Sequence, residues 1–375
     1  MAKILISAGP IPARLDSVKY VTNRFKGGLA MKTARLLSGY QGYNKYDHQI
    51  ILVKWKHSSV GSGDNTFEVI DVEDILEYRD AVLNTKADMY VLAAAVANLM
   101  PTNPWKGKFP SHDYSVGDKI PIEFEIAPRI IDEVKKKYPR SSLVGYKLFD
   151  GSDEELIKAG WETLRGSKAN IVFANHPAWA KKRKLMLTQD GSVIPVTFDE
   201  HVEMIDALSR SCWYRTEIVG NTRVWSDLML EGTVDLNLLI QEYPRHKQGE
   251  YTFGTFGFRL KDGFFTTSRG KTEGGFSYVF FVDHGEREIQ TINNKATLNA
   301  PLLDRMFKKF PHVNVIIHGH KQIDKWVTFD YQFPGTAEEA AYGAMSTGFN
   351  IEHHGYVAGF STVDECLKWM DENEA

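Results

Sequence analysis

Ile4-Leu5-Ile6-Ser7-Ala8-Gly9-Pro10 is a continuous apolar run that breaks into small, turn-forming residues. A run without polar alternation belongs to a strand covered on both faces, as in a parallel sheet lying between helices. The same signature recurs at Ile50-Ile51-Leu52-Val53, Tyr90-Val91-Leu92, Leu143-Val144-Gly145 and Ile171-Val172-Phe173. Between these runs, residues 29–37, 72–82, 128–137 and 153–164 carry apolar residues at helical spacing. Asp71 and Ser152 stand as N-caps, and Pro128 suits a first helical turn. This alternation predicts an α/β domain, a parallel sheet with flanking helices. Ligands of such sheets gather at the carboxyl ends of the strands. The loops after Ser7, Val96, Tyr146 and Ala174 are therefore the ones to watch.

Lys184 to Val196 reads as a hairpin turning at Asp190-Gly191, and a helix over about 199–211 closes the first domain. The order then changes. A long amphipathic helix near 227–243 precedes a second hairpin, Phe256 through Asp262-Gly263. A strand near 278–282, a helix near 301–309 and the run Val315-Ile316-Ile317-His318-Gly319-His320 follow. Two domains are expected, 1–214 and 215–375, since 375 residues exceed one ordinary core. Residues 61–65 (Gly-Ser-Gly-Asp-Asn) read as a surface loop.

A net charge of −3 gives no global pull toward nucleic acid or an anionic membrane. The basic tract Ala180-Lys181-Lys182-Arg183-Lys184 lacks an aromatic stacking platform and reads as a solvated turn. Two cysteines, Cys212 and Cys366, indicate neither a disulfide scaffold nor a thiolate zinc site. The start of the chain lacks the apolar length of a signal peptide, and no stretch approaches a membrane span. A soluble cytoplasmic protein is expected.

Two segments carry chemistry. Glycines at Gly9 and Gly27-Gly28, the latter opening the first helix, together with Lys19, Arg24 and Lys26, suit a phosphate-binding entry, although neither G-x-G-x-x-G nor a P-loop is present. In the second half, side chains two apart on a strand share a face, so His318 and His320 aim two imidazoles at one point. A third from His353-His354-Gly355 completes a facial His₃ set with an open position for a catalytic divalent metal.

Ala8-Gly9-Pro10, Leu15-Asp16-Ser17-Val18-Lys19-Tyr20-Val21-Thr22-Asn23, Ala93-Ala94-Ala95-Val96-Ala97-Asn98, Lys106-Gly107-Lys108, Val144-Gly145-Tyr146 and Ala174-Asn175 occur in order. Together they resemble phosphopantothenoylcysteine synthetase, the coenzyme A pathway ligase, over roughly the first 210 residues. The resemblance implies a Rossmann-like domain that uses Mg²⁺ and a nucleoside triphosphate, CTP or ATP, to activate a carboxylate for attack by an amine. It assigns Asn23 to the acyl intermediate and Lys106 to the triphosphate. Gly9, Lys19, Arg24, Lys26, Ala94, Ala95, Asn98, Lys108, Gly145, Tyr146 and Asn175 would contact nucleotide or substrate. Preplaced cations suit the charge that builds up at an attacked phosphorus. The chain departs from the pattern in several places. Phe25-Lys26-Gly27-Gly28 stands where the family has Ser-Ser-Gly-Lys, and Lys19 and Asn98 replace an arginine and an aspartate. Ile126-Ala127-Pro128-Arg129 replaces Lys-Asn-Pro-Asp. Nucleotide handling is expected to persist while the acid recognised has changed.

Gly254-Thr255-Phe256-Gly257, Phe265-Thr266-Thr267-Ser268-Arg269-Gly270, the His-Gly-His strand, Pro334-Gly335-Thr336 and His353-His354-Gly355 resemble the class II aldolase/adducin family. This implies an α/β aldolase-like domain with zinc, or another divalent transition metal, on His318, His320 and His354. Gly257, Ser268 and Gly270 would hold substrate phosphate. The family's acid/base glutamate aligns with Asn299, and an amide cannot take up the proton.

The leading expectation is a two-module enzyme, a ligase fused to an aldolase-like lyase or isomerase, acting on small carboxylate and amine substrates. Both resemblances imply a homo-oligomer. The alternative is a non-catalytic binding or assembly protein with a structural metal site. A Rossmann oxidoreductase is disfavoured by the missing glycine fingerprint after the first strand.

Overall fold

All five apolar runs form strands of one sheet. The structure is a computed structural model describing residues 1–39, 46–59, 67–179, 183–220, 233–243, 245–248, 251–269 and 275–374. The loop expected at 61–65, Gly270, residues 180–182 of the basic tract and the start of the helix expected from 227 lie outside them. The described chain divides into two units, one of Met1–Gln189 with Val193–Arg210, the other of Asp190–Ser192 with Ser211–Ala375.

In the first unit, β1 (Lys3–Ala8), β2 (Gln49–Trp55), β3 (Glu68–Val72), β4 (Met89–Leu92), β5 (Ser142–Leu148) and β6 (Ile171–Asn175) run parallel. The hairpin β7 (Lys184–Thr188) and β8 (Val193–Val196) extends the edge antiparallel, giving the order β8-β7-β6-β5-β4-β1-β2-β3. Ile4 pairs with Ile50 on one side and Met89 on the other, and all three are buried. That central position is why the run carries no polar alternation. Helices α1 (Gly28–Leu37), α2 (Ile75–Asn84), α3 (Ile131–Lys137), α4 (Asp153–Ser167) and α5 (Phe198–Arg210) complete the unit. Ser152 caps α4 in a reciprocal capping box with Glu155, worth about 1 kcal/mol. Two helix starts differ from expectation. Asp71 is in β3, and Asp74 caps α2 by accepting from Leu76 and Glu77 N–H. Helix α3 begins at Ile131 rather than at Pro128, whose preceding Ala127 donates its N–H to Asn98 O and extends a two-stranded ladder.

The second unit holds β9 (Arg215–Gly220), β10 (Thr255–Leu260), β11 (Gly263–Thr267), β12 (Phe276–Asp283), β13 (Glu288–Ile292), β14 (Val315–Gly319), β15 (Thr328–Phe329), β16 (Gly348–Ile351) and β17 (Gly355–Phe360). They form a nine-stranded mixed sheet in the order β9-β13-β12-β11-β10-β14-β17-β16-β15. Strand period decides which face each side chain takes. Val315 and Ile317 pack with Leu236 and Leu239 of α6 (Thr233–Glu242) and Cys366 and Met370 of α9 (Val363–Asn373). Ile316 instead packs with Leu302, Leu303, Met306 and Phe307 of α7 (Ala300–Lys309). With helices over both faces of β14, its apolar run is continuous for the same reason as that of β1. Among the described residues no helix is long and apolar enough to cross a membrane.

Candidate functional site

In the first unit, the chain leaving β1 is tied to the chain leaving β4. Pro10 and Ile11 pair with Ala95 and Val96, Ala95 N–H donates to Gly9 O, and Ala94 N–H donates to the Ser7 hydroxyl. Asn23 adds a clamp, its Nδ2 donating to Ala95 O at 3.2 Å and Val96 O at 3.0 Å. Both amide protons are thereby used, leaving Oδ1 as the group's acceptor. Asp16, fully buried, organises the neighbouring loops. It accepts from the N–H groups of Val18 and Lys19 at 2.6 Å each, from Lys19 Nζ at 2.8 Å, and from Phe109 N–H at 3.1 Å. Ser17 N–H to Gly107 O and Trp105 N–H to Leu15 O add two more ties. Lys106 and Lys108, both exposed, are therefore carried on a loop fixed to residues 15–19.

The Lys19 ammonium, followed by the backbone N–H groups, holds the Asp16 carboxyl far below the ordinary carboxylate range. A depressed folded-state pKa stabilises the fold above the unfolded value of about 4. That contribution falls away as pH drops through the acid range. Acid titration of the wild type against Asp16→Asn, followed by chemical denaturation, is expected to show the wild type's advantage at pH 6–7 shrinking progressively below about pH 4.

Gly9 and Gly27 bring the β1 loop against the start of α1. Both have positive φ, 78° and 80°, and a Cβ on Gly27 would lie 2.1 Å from Gly9 N. At the end of β6, Asn175 is buried and its Oδ1 has no partner among the described residues. A buried acceptor left open at a strand's carboxyl end is the kind of group a ligand donor satisfies.

In the second unit, the donor atoms of His318, His320 and His354 lie within 4.8 Å of one another. Ring centroids are 4.4 Å apart for His318–His354, 5.2 Å for His318–His320 and 5.4 Å for His320–His354. His318 is on β14, and His320 follows one residue past its end. His354 sits in the tight turn joining β16 to β17, where its N–H donates to Ile351 O. Gly355 makes that turn possible. Its φ is 125°, and a Cβ would lie 2.0 Å from Gly319 O. The glycines of both histidine motifs thus meet, which draws His354 to His318. The structure contains no ion, but the donor set fits one. His318 Nδ1 lies 2.7 Å from Tyr356 O, an acceptor, which places the ring proton on Nδ1 and the lone pair on Nε2.

Residues 1–212 match the family model described as DNA/pantothenate metabolism flavoprotein C-terminal domain. The chain belongs to that family. Over 175 residues it is 32% identical to the coenzyme A biosynthesis bifunctional protein CoaBC of Thermococcus kodakarensis, covering 46% of this chain and 41% of that one. The chain thus spans about two fifths of that relative's length. The DNA/pantothenate metabolism flavoprotein of Streptococcus pneumoniae overlays on 55% of this chain and 96% of its own, with TM-score 0.46 and 18% identity. Over the C-terminal part, L-fuculose-1-phosphate aldolase of Thermus thermophilus overlays on 40% of this chain and 88% of its own, with TM-score 0.25 and 15% identity.

Within the flavoprotein-family segment, some of the residues expected at the ligand also make contacts within the fold. A Cβ on Gly145 would meet Ile131 Cδ1 at 2.8 Å, so this glycine admits α3 against β5. The Tyr146 hydroxyl is 2.6 Å from His201 Nε2, and burial raises the phenol's pKa while lowering that of His201 to about 3. Arg24 and Lys26 lie on the exposed approach to α1, and Asn98 accepts Ala127 N–H through its backbone.

In the second unit, Gly257 faces the core: its missing Cβ would touch Phe307 and Leu303. Ser268 is buried at the end of β11, its N–H donating to Gly275 O. Asn299 is buried beside an acid, donating through Nδ2 to Glu339 Oε1 at 2.8 Å. Burial pushes Glu339 up to about 8, which favours its protonated form. Glu339 was not anticipated, although Thr336-x-x-Glu339 is a helix-start signature and Thr336 caps α8 (Ala337–Tyr342). Asp16 and Asp190 were also missed as site residues. Asp16 lies in the segment 15–23 and Asp190 in a hairpin turn, and nothing in sequence shows that either carboxylate is buried.

Proposed function

We propose that the chain is a two-module enzyme whose first unit activates a carboxylate with a nucleoside triphosphate, CTP or ATP with Mg²⁺, and passes the acyl group to an amine. The observation carrying this is the Asp16 node, which fixes the Lys106–Lys108 loop to residues 15–19 near the strand ends that Asn23 clamps. Such a node fixes the backbone that carries two lysines beside the site, and preplaced charge is what stabilises phosphoryl transition states. The substitutions at Lys19 and Asn98 favour an acid other than phosphopantothenate, because a lysine lacks the bidentate fork of an arginine. Purified protein is expected to release pyrophosphate from CTP or ATP only when a suitable acid is supplied. Lys106→Ala is expected to abolish that release while metal content stays intact. Equal release by the variant would remove the ligase assignment for this loop.

For the second unit we propose a zinc-type centre on His318, His320 and His354 in a lyase or isomerase. A divalent ion there would supply Lewis-acid charge for the oxygens of a hydroxy-ketone substrate. The chain's own contribution is to fix the imidazole tautomer at His318 and hold a proton on the buried Glu339. One observation favours a structural metal site in an assembly role instead: Asn299, at the expected acid position, is committed to Glu339. Retro-aldol or epimerase turnover by the metal-loaded protein separates the two readings. We further propose a homo-oligomer, which sedimentation measures.

A further inference from the structure

We propose that Asp190 is a positioning residue of the histidine centre, the carboxylate that orients His354 and supplies the centre's negative charge. The inference rests on the three histidines forming a metal site, and it assigns the anionic partner that the sequence lacks at Asn299. Asp190 lies within the family-matched segment 1–212, yet it belongs to the second compact unit together with Gly191 and Ser192.

Three observations carry the proposal. Asp190 Oδ2 lies 3.1 Å from His354 Nε2, and the two side chains are 4% and 0% exposed. A buried carboxylate is costly unless it has a cationic partner or hydrogen-bond donors, so this contact is built rather than incidental. Secondly, the carboxylate is itself held: the Ser192 hydroxyl donates to the same Oδ2 at 2.5 Å. The turn that presents it is equally constrained. Gly191 has φ 101°, and a Cβ there would lie 2.5 Å from the Phe253 ring, whose face stacks near His320 with centroids 5.6 Å apart. Thirdly, His318 already has its outer partner, the Tyr356 carbonyl. A histidine ligand whose second nitrogen engages a carboxylate or carbonyl is fixed in tautomer and made more basic. Asp190 contacts the His354 imidazole, whereas the cluster of mutually close donor atoms is the three histidines. That geometry describes a group acting through His354, outside the coordination shell.

The test uses full-length protein, Co²⁺ as the metal, and a chelator competition to obtain the dissociation constant. Asp190→Asn is expected to weaken Co²⁺ binding about 10- to 100-fold, the usual effect of losing an outer partner of a ligand. The visible d–d spectrum of the saturated variant is expected to match that of the wild type, since the coordination shell is unchanged. Ser192→Ala, which removes only the hydroxyl that holds Oδ2, is expected to give a smaller loss in the same direction. Wild-type affinity in Asp190→Asn, with circular dichroism unchanged, would overturn the proposal. So would a changed d–d spectrum, because Asp190 would then be a ligand itself. Should Asp190→Asn fail to fold, Ser192→Ala decides, and unaltered affinity there counts against the assignment. Wild-type protein that takes up no Co²⁺ removes the metal centre itself, a result separable from normal wild-type uptake with an indifferent Asp190.

Discussion

His318→Asn is expected to abolish divalent-ion binding at the centre proposed for the second unit while leaving the protein folded. The substitution separates two jobs of one ring. In His318 the Nδ1 proton points to Tyr356 O at 2.7 Å, which leaves the Nε2 lone pair as the proposed ligand. An asparagine Nδ2 can take the place of Nδ1 and keep that hydrogen bond, but nothing replaces Nε2. The dissociation constant for Co²⁺ or Zn²⁺ is therefore expected to rise by more than the roughly 100-fold that loss of an outer-sphere partner costs. Stability measured without metal should change little, because the burial of the strand and its pairing with Thr255 and Val357 persist. His318→Ala would lose both the ligand and the donor to Tyr356 O, so a larger drop in stability is expected for alanine than for asparagine. Undiminished metal content in His318→Asn would show that the three rings are a packed cluster rather than a ligand set. Pyrophosphate release by the first unit should continue in either variant.

The parts of this fold that were legible in sequence are those where one physical demand acts alone. A strand covered on both faces must be apolar throughout, and β1, β2 and β14 announced themselves in that way. The hairpins at Asp190-Gly191 and near Asp262 were equally readable from their turn residues, although the second turns at Lys261-Asp262, one residue earlier than expected, with Gly263 already paired in β11. The pairing of His318 with His320 followed from strand period, whereas His354 came from the family resemblance. Burial of single polar side chains was not legible. Asp16, Asp190 and Glu339 each look like surface carboxylates by type. Their importance comes from partners 93, 164 and 40 residues away, namely Phe109, His354 and Asn299. Glycine roles are not legible for the related reason that one residue type serves close approach to a ligand and close packing of a helix equally well. Gly145 and Gly257 serve the second.

Gly27 and Gly28 put that distinction to a stability test, with neighbouring residues expected to respond in opposite directions. Gly27 caps α1 in the left-handed region, φ 80°, and its Cβ would lie 2.1 Å from Gly9 N and 2.4 Å from Gly9 Cα. An alanine there meets backbone on the far side, so no rotamer change relieves it. The left-handed conformation alone costs on the order of 1–3 kcal/mol for a residue with a side chain. Separating the β1 loop from the helix start adds to this, so Gly27→Ala is expected to destabilise the first unit by at least about 3 kcal/mol. Gly28 is the first residue of α1, and nothing lies within 4 Å of its added Cβ. Gly28→Ala should stabilise by about 0.5–1 kcal/mol, because alanine surrenders less backbone freedom on entering a helix. Chemical denaturation of the two variants beside the wild type measures both signs. The same pair also bears on function, since the Gly9–Gly27 contact brings the β1 loop to the start of α1. If Gly27→Ala proves as stable as Gly28→Ala, the two loops do not touch, and the ligand entry proposed there loses its geometric basis.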